Sequence, residues 1–391
     1  MKIPLPPPSK APAILIALAL QASAIAPQAQ PNQRSAGVTA ETRVNTWLKT
    51  QDPNKDGRIA PDEATGLMKR FFERNDANSD GFLDKSELKA LAGRLGRPRS
   101  NQPKANRNSQ AQGGLSTEQM LKNAPKDVVI EPDIAYRPGD SKSWRLDLVR
   151  PRGQGGPLRP AIVFVHGGGW RNGDKRARTF LEGAIRYAQK GYVCVTVNYR
   201  LTGEAPFPAC IEDVKCAVRW LRAHAEKYNL DPERMGGYGN SAGAHLVAIL
   251  GLVKPDAGLE GDGPYQDQSS LLQAVCASAT PTDFNLFPRP RATDPKFAND
   301  KYDGAKLATL SSPLTHVRKD APPFLLIHGT ADRTVNVKHS DTFAEALKKA
   351  GATDLTYLRI EGEGHGVFNL KAAETGPAMA AFFARTIGAP K

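Results

Sequence analysis

Short apolar runs recur along the last two thirds of the chain, each bounded by polar, glycine or proline positions. Eight of them read as strands: Asp127–Ile130, Arg145–Val149, Ile162–Val165, Tyr192–Val197, Met235–Tyr238, Ala274–Ala279, Phe324–Ile327 and Leu355–Ile360. Between the later ones the apolar spacing becomes helical, near 209–226, 242–252, 338–350 and 373–386. Strands alternating with crossover helices imply an α/β fold whose mostly parallel sheet is covered on both faces. A region of roughly 260 residues is long enough to bury such a core as one domain. Two stretches, 255–270 and 284–312, lack periodicity and are rich in Gly, Pro and Asp. They are expected to be irregular, serving either as lid or substrate loops or as inert insertions.

The first third of the chain is patterned differently. Lys2 and Lys10 precede the apolar run Ala11–Leu20, and Ala22-Ser23-Ala24 offers small residues for cleavage. Residues 1–24 therefore read as a secretory signal peptide, which predicts an exported protein, periplasmic or extracellular. The apolar run is too short to span a bilayer, and no cysteine stands at the cleavage site to carry a lipid anchor. Export permits disulfides, yet the four cysteines form no framework. Cys194 and Cys276 fall in strand runs and Cys210 and Cys216 in a helical one, so small buried hydrophobes are expected, with a Cys210–Cys216 bridge as the alternative.

Residues 40–96 contain a repeat with a period of 24 residues. Asp52-Pro53-Asn54-Lys55-Asp56-Gly57-Arg58-Ile59…Glu63 returns as Asp76-Ala77-Asn78-Ser79-Asp80-Gly81-Phe82-Leu83…Glu87. Oxygen donors at positions 1, 3, 5 and 12, glycine at 6 and an apolar residue at 8 are the pattern of an EF-hand calcium loop. The expected ligands are Asp52, Asn54, Asp56, the Arg58 carbonyl and Glu63, then Asp76, Asn78, Asp80, the Phe82 carbonyl and Glu87. Helical apolar spacing on either side (Val44, Trp47, Leu48; Leu67, Met68, Phe71, Phe72; Leu88, Leu91, Leu95) completes a small all-α EF-hand pair, with calcium as a structural cofactor.

Residues 97–126 come next as a flexible basic linker. From Lys89 to Arg107 there are six basic residues and no acidic one, which accounts for part of the net charge of +13. A solvated linker is the plain reading of that charge, and an acidic polysaccharide or anionic surface the alternative partner. Nucleic acid is not expected, because no aromatic residues interleave with the charges and the chain is exported.

Residues 127–391 carry the chemistry. Gly239-Asn240-Ser241-Ala242-Gly243 lies between a strand run and an apolar helical run, the context of a nucleophile elbow, where a sharp turn lifts the serine hydroxyl out of the sheet. A serine needs a base to take its proton as it attacks. Of seven histidines, only His365 lies in a glycine-flanked late loop that leaves it reachable. His245, four residues past Ser241, is expected to pack in the helix; His166 and His328 end strands and shape their loops. Asp332, after Phe324–Ile327, would orient the imidazole, with Asp283 as the runner-up. Gly167, Gly168 and Gly169, together with the N–H of Ala242, would form the oxyanion hole. The order Ser241, Asp332, His365 is that of α/β-hydrolases.

With these residues in place, the segment from about 127 to 388 resembles an α/β-hydrolase of the carboxylesterase type carrying the His-Gly-Gly-Gly-Trp motif, here His166 to Trp170. Asn198-Tyr199-Arg200-Leu201, Phe207-Pro208-Ala209, Glu212-Asp213-Val214, Ala217 to Arg222, Ser312-Pro313-Leu314 and Pro322 to Gly329 extend the likeness. Ala244 stands where the group usually has a further glycine, and Asn240 is less usual before the serine; both bear on the shape of the acyl pocket. The resemblance implies a serine esterase without an organic cofactor, close to feruloyl and acetyl esterases acting on plant polysaccharides. The alternatives are a general short-chain carboxylesterase or lipase and, from another class, a calcium-dependent binding protein with an inactive hydrolase fold.

Overall fold

The computed structural model describes residues 39–65, 68, 72, 81–95, 117–153, 155–287 and 303–390. The segment read as a signal peptide, most of the linker, and Asp76, Asn78 and Asp80 of the second loop lie outside these residues. The chain divides into two compact units at residues 106/107.

In the N-terminal unit, helix Ala40–Gln51 starts at Thr39, whose hydroxyl accepts from the Thr42 N–H at 3.2 Å. A second helix spans Lys85–Leu95. The two loops need glycine at their turns: Gly57 and Gly81 sit at φ +83° and +86°. Ile59 and Leu83, the position-8 residues, form a two-way antiparallel bridge, with N–H to O distances of 3.1 and 2.9 Å. Both are buried with Val44, Ala64, Met68, Phe72, Leu88 and Ala92.

The second unit holds one eight-stranded sheet: β1 Val128–Ala135, β2 Arg145–Pro151, β3 Arg159–Val165, β4 Val193–Val197, β5 Leu230–Asn240, β6 Ala274–Ser278, β7 Phe324–Gly329 and β8 Leu355–Ile360. The spatial order is β1-β2-β4-β3-β5-β6-β7-β8. β2 pairs antiparallel with β1 and β4; every other pairing is parallel. Strands β3, β4, β6 and β7 are mostly apolar runs because helices cover both faces. Along β3 the period of two divides the core: Ala161, Val163 and Val165 join Val214, Leu221, Leu246 and Phe343. Ile162 and Phe164 face Leu181, Tyr187, Met379 and Phe383. Helices Ala209–Ala223, Ala242–Leu252 and Lys338–Lys349 thus pack on one face, and Arg178–Gln189 and Ala372–Phe383 on the other.

The α/β-hydrolase fold with a mostly parallel eight-stranded sheet is as the sequence reads; several boundaries are not. Helix Arg178–Gln189, the crossover from β3 to β4, is absent from the helices the pattern predicts, although its apolar positions recur at helical spacing. The linker ends before residue 126: Thr117–Lys122 form a helix, and Met120 is buried in the core against Phe180 and Val128. Two apolar residues in one and a half turns are too few to register as a periodic pattern. Within 284–312, Gly304–Ser311 are helical, capped by the Asp303 carboxylate on the Lys306 N–H at 2.7 Å. Residues 288–302 lie outside the described set. All four cysteines are buried free thiols. Among the described residues no helix is long and apolar enough to cross a membrane.

The 255–270 stretch is irregular but pinned. Glu260 accepts from Lys215 Nζ at 2.6 Å, from Ser270 Oγ at 2.8 Å and from the Arg219 guanidinium. Lys215 also donates to the Val253 carbonyl at 2.9 Å. Lys215 and Arg219 are buried on helix Ala209–Ala223, so the loop's carboxylate is their counter-charge. Such anchoring is incompatible with a freely opening lid. Removing one partner of a buried pair leaves the other uncompensated. Glu260→Ala is therefore expected to destabilise this unit by about 3–5 kcal/mol, read as a lower denaturant midpoint; an unchanged midpoint would refute the anchoring.

Candidate active site

The turn from β5 into helix Ala242–Leu252 holds Ser241 at φ +53°, ψ −121°, outside the comfortable range of a non-glycine residue. Packing enforces it. A Cβ on Gly243 would stand 2.0 Å from the Val165 carbonyl oxygen, and one on Gly239 would stand 2.3 Å from the Gly243 carbonyl. Only glycine lets the helix start this close to β3. The Ser241 N–H donates to Ser278 O at the end of β6 (2.9 Å), and its carbonyl accepts from His245 N–H at 3.1 Å.

Asp332 and His365 come together from the loops after β7 and β8. His365 Nδ1–H donates to Asp332 Oδ2 at 2.7 Å. Carboxylates only accept, so Nδ1 carries the proton and Nε2 is left with its lone pair. Asp332 Oδ1 accepts from the N–H groups of Thr334 (2.8 Å) and Val335 (3.0 Å). Burial pushes the Asp332 carboxyl up, but bonds from His328, His365 and Val335 outweigh it and hold the group well below the usual carboxylate range. The two loops are locked together: a Cβ on Gly329 would lie 2.1 Å from Glu363 O, and the Ala331 N–H donates to that same oxygen at 2.9 Å. Among the described residues Ser241 Oγ has no hydrogen-bond partner within 3.5 Å. The serine–histidine bond is the one that commonly tightens only with substrate present. Asp283, the runner-up, caps the short turn Phe284–Leu286 by accepting from Asn285 N–H at 2.9 Å, and makes no bond to His365.

The glycine turn lies beside the serine. A Cβ on Gly167 would be 2.8 Å from both Asn240 O and Asn240 Oδ1, and 3.4 Å from Ser241 Cβ. Gly168, at φ +118°, closes a tight turn; a Cβ there would stand 1.9 Å from Asn172 O. Gly169, at φ +61°, has open space beside it. The N–H groups of Gly168 and Ala242 have no acceptor among the described residues, which leaves both available to an oxyanion.

The segment after the glycines is fixed by interactions that the sequence pattern does not show. Trp170, buried at φ +57°, donates its Nε1–H to His245 Nδ1 at 3.2 Å, and His245 Nε2–H donates to Ser311 O at 2.7 Å. Burial lowers the His245 pKa to about 4, so the ring stays neutral and can accept from the indole. His166 stacks on Tyr199 with ring centroids 4.4 Å apart. Lys175 reaches Asp133 (2.8 Å) and Asp147 (2.9 Å), and Arg176 joins the same two carboxylates, tying the end of the turn to β1 and β2.

In the N-terminal unit the first loop fits calcium in the type and order of its donors. Asp52, mostly buried, accepts from the N–H groups of Asp56 (3.2 Å) and Gly57 (2.9 Å); Asn54 Oδ1 accepts from Asp56 N–H and Asp56 Oδ1 from Arg58 N–H. The terminal glutamates behave alike: Glu63 Oε2 accepts from Ala60 N–H at 2.8 Å and Glu87 Oε2 from Asp84 N–H at 3.1 Å. Among the described residues no three His, Cys, Asp or Glu side chains gather into a metal cluster, Asp52, Asp56 and Glu63 included.

Residues 146–347, just over half the chain, match the BD-FAE family model. The chain belongs to this carboxylesterase family of α/β-hydrolases. It is 31% identical over 248 residues to "Esterase LipC" of Mycobacterium tuberculosis, covering 61% of this chain and 60% of that protein. It thus spans about 60% of the length of the curated relatives it matches. A solved "Truncated form of carbohydrate esterase from gut microbiota" is 27% identical with a TM-score of 0.59, covering 66% of this chain and 96% of that one. "Thermogutta terrifontis esterase 2 phosphorylated by paraoxon" is 26% identical with a TM-score of 0.58, covering 71% and 100%.

The BD-FAE glycine turn makes a direct test possible. Gly167→Ala pushes a methyl group against Asn240 and shifts the donors from the oxyanion position. We expect kcat on an ester substrate to fall roughly 10²- to 10³-fold in protein that still folds, with KM little changed. Wild-type kcat would place the oxyanion hole elsewhere.

Proposed function

We propose that the protein is an exported serine esterase that cleaves acetyl or feruloyl esters of carbohydrate through an acyl-enzyme on Ser241. The observation that carries this is the 2.7 Å His365–Asp332 bond on strand-end loops of the same sheet that lifts Ser241 out of its elbow. Ser241 Oγ attacks the ester carbonyl as His365 Nε2 takes its proton. The carbonyl oxygen becomes an oxyanion held by the Gly168 and Ala242 N–H groups. His365 returns the proton to the departing alkoxide, leaving the acyl group on Ser241. Water then attacks with His365 as base, releasing the acid and restoring the serine. The carbohydrate side rests on the motif resemblance, on the gut carbohydrate esterase neighbour, and on the secretory pattern of residues 1–24.

Ser241→Ala is expected to abolish fluorophosphonate labelling and reduce hydrolysis by on the order of 10⁴- to 10⁶-fold without unfolding. Retained labelling would sink the nucleophile assignment. Acetylated xylan and feruloyl esters should be turned over alongside short nitrophenyl esters. Rates that climb with acyl length while polysaccharide esters stay untouched would favour the lipase-type alternative.

We also propose that the N-terminal unit is an EF-hand pair whose calcium is structural. When bound, calcium supplies charge neutralisation for carboxylates that otherwise repel. Asp52, Asn54, Asp56, the Arg58 carbonyl and Glu63 would hold one ion; Asp76, Asn78, Asp80, the Phe82 carbonyl and Glu87 the other. Extracellular modules bind with dissociation constants of roughly 10⁻⁴ to 10⁻³ M. Calorimetry on the full chain should show calcium uptake that Glu63→Gln and Glu87→Gln each weaken, with hydrolysis of a small ester unaffected by chelation. Absence of uptake would end the EF-hand reading.

A further inference from the structure

The sequence pattern gives His328 no more than a part in shaping the loop after β7. In the fold it is fully buried, and its Nε2 lies 2.9 Å from Val335 O and 3.3 Å from Asp332 Oδ2. Both are acceptors, so Nε2 carries a hydrogen: it donates to Val335 O, and the same N–H lies in electrostatic contact with Asp332 Oδ2. Its Nδ1 is 2.6 Å from Ser340 Oγ on helix Lys338–Lys349, which fixes the ring plane. The Val335 N–H in turn supports Asp332 Oδ1. One imidazole therefore grips the 332–335 turn at its carbonyl and at the carboxylate that holds His365.

We infer that His328 is a positioning residue for the reaction, setting the orientation of Asp332 and limiting how strongly that carboxylate holds the His365 imidazolium. The inference rests on the serine-esterase reading above. Its chemistry is a competition for one oxygen. Asp332 Oδ2 accepts from His365 at 2.7 Å and faces the His328 N–H at 3.3 Å; each positive N–H draws on the same oxygen and weakens the other's hold. Without the His328 N–H, Oδ2 binds the His365 ring more strongly and stabilises its protonated form. Neutral His365 is the active base, so the acid limb of kcat/KM moves to higher pH. The orientation lost with the grip lowers kcat.

Other charges near this network stay the same in the variants. His339, from helix Lys338–Lys349, interacts electrostatically with His328, Asp283 and Asp332. Glu363, in the loop bearing His365, is paired with Lys371 at 3.0 Å.

The test compares His328→Leu, His328→Gln and Ser340→Ala in the full chain. His328→Leu removes the donor; the glutamine Nε2–H restores one at nearly the same place. We expect His328→Leu to lower kcat about 10- to 100-fold at little-changed KM, to move the acid limb upward, and to shift the NMR resonance of the His365 Nδ1 proton. His328→Gln should restore all three towards wild type. Ser340→Ala, which only releases the ring plane, should shift them less and in the same direction; it and His328→Gln carry the test should the leucine variant not fold. Equal losses in the leucine and glutamine variants, or an acid limb and proton resonance unmoved in His328→Leu (in Ser340→Ala, should the leucine variant not fold), would overturn the inference. Fluorophosphonate labelling separates the two failures: an unlabelled wild type overturns the serine-esterase reading, while a labelled wild type with superimposable profiles overturns the role of His328 alone.

Discussion

The site depends on one close approach of backbone to backbone. Helix Ala242–Leu252 begins so near β3 that Gly243 would drive a Cβ into Val165 O. Every residue of that helix is buried, so its position is set by apolar packing on all sides. The strain at Ser241 persists because this packing over-determines it. The same contact sets the ends of β3 and β5 side by side, so that the glycine turn after β3 meets the serine after β5.

Around that contact, buried histidines act as struts. His245 links the Trp170 indole to Ser311 O. His339 accepts from the N–H groups of Thr282 and Asp283, both at 3.3 Å. Burial lowers the pKa of each to about 4, which keeps both rings neutral and their donor and acceptor ends distinct. His365 is the contrast. Its side chain is 29% exposed and its Nδ1 is committed to Asp332, so Nε2 keeps its lone pair. Residues of one type thus divide into buried fixtures and one partly exposed ring by environment alone.

Buried charge plays a parallel part at the edges. Asp147 compensates Lys175 and Arg176 behind the glycine turn. Glu260 compensates Lys215 and Arg219 behind the 255–270 loop. In each case a segment without regular structure is held because releasing it would strand a charge in the core.

Much of this is legible in the linear pattern. Eight apolar runs mark eight strands, and the spacing of Ser241, Asp332 and His365 after three of them places all three on loops at one end of a parallel sheet. Alternation along a strand is local chemistry, so sequence carries it. Helix Arg178–Gln189 carries helical apolar spacing in its own sequence, and Thr117–Lys122 is too short to show a period. Sequence alone supplies no relation between side chains distant in the chain when neither belongs to a motif. That Trp170 donates to His245, that Glu260 answers Lys215, and that His328 lies against Asp332 come from how helices and loops stack across the sheet. Burial and partner geometry decide the protonation and orientation of such groups, and both exist only once the chain has folded.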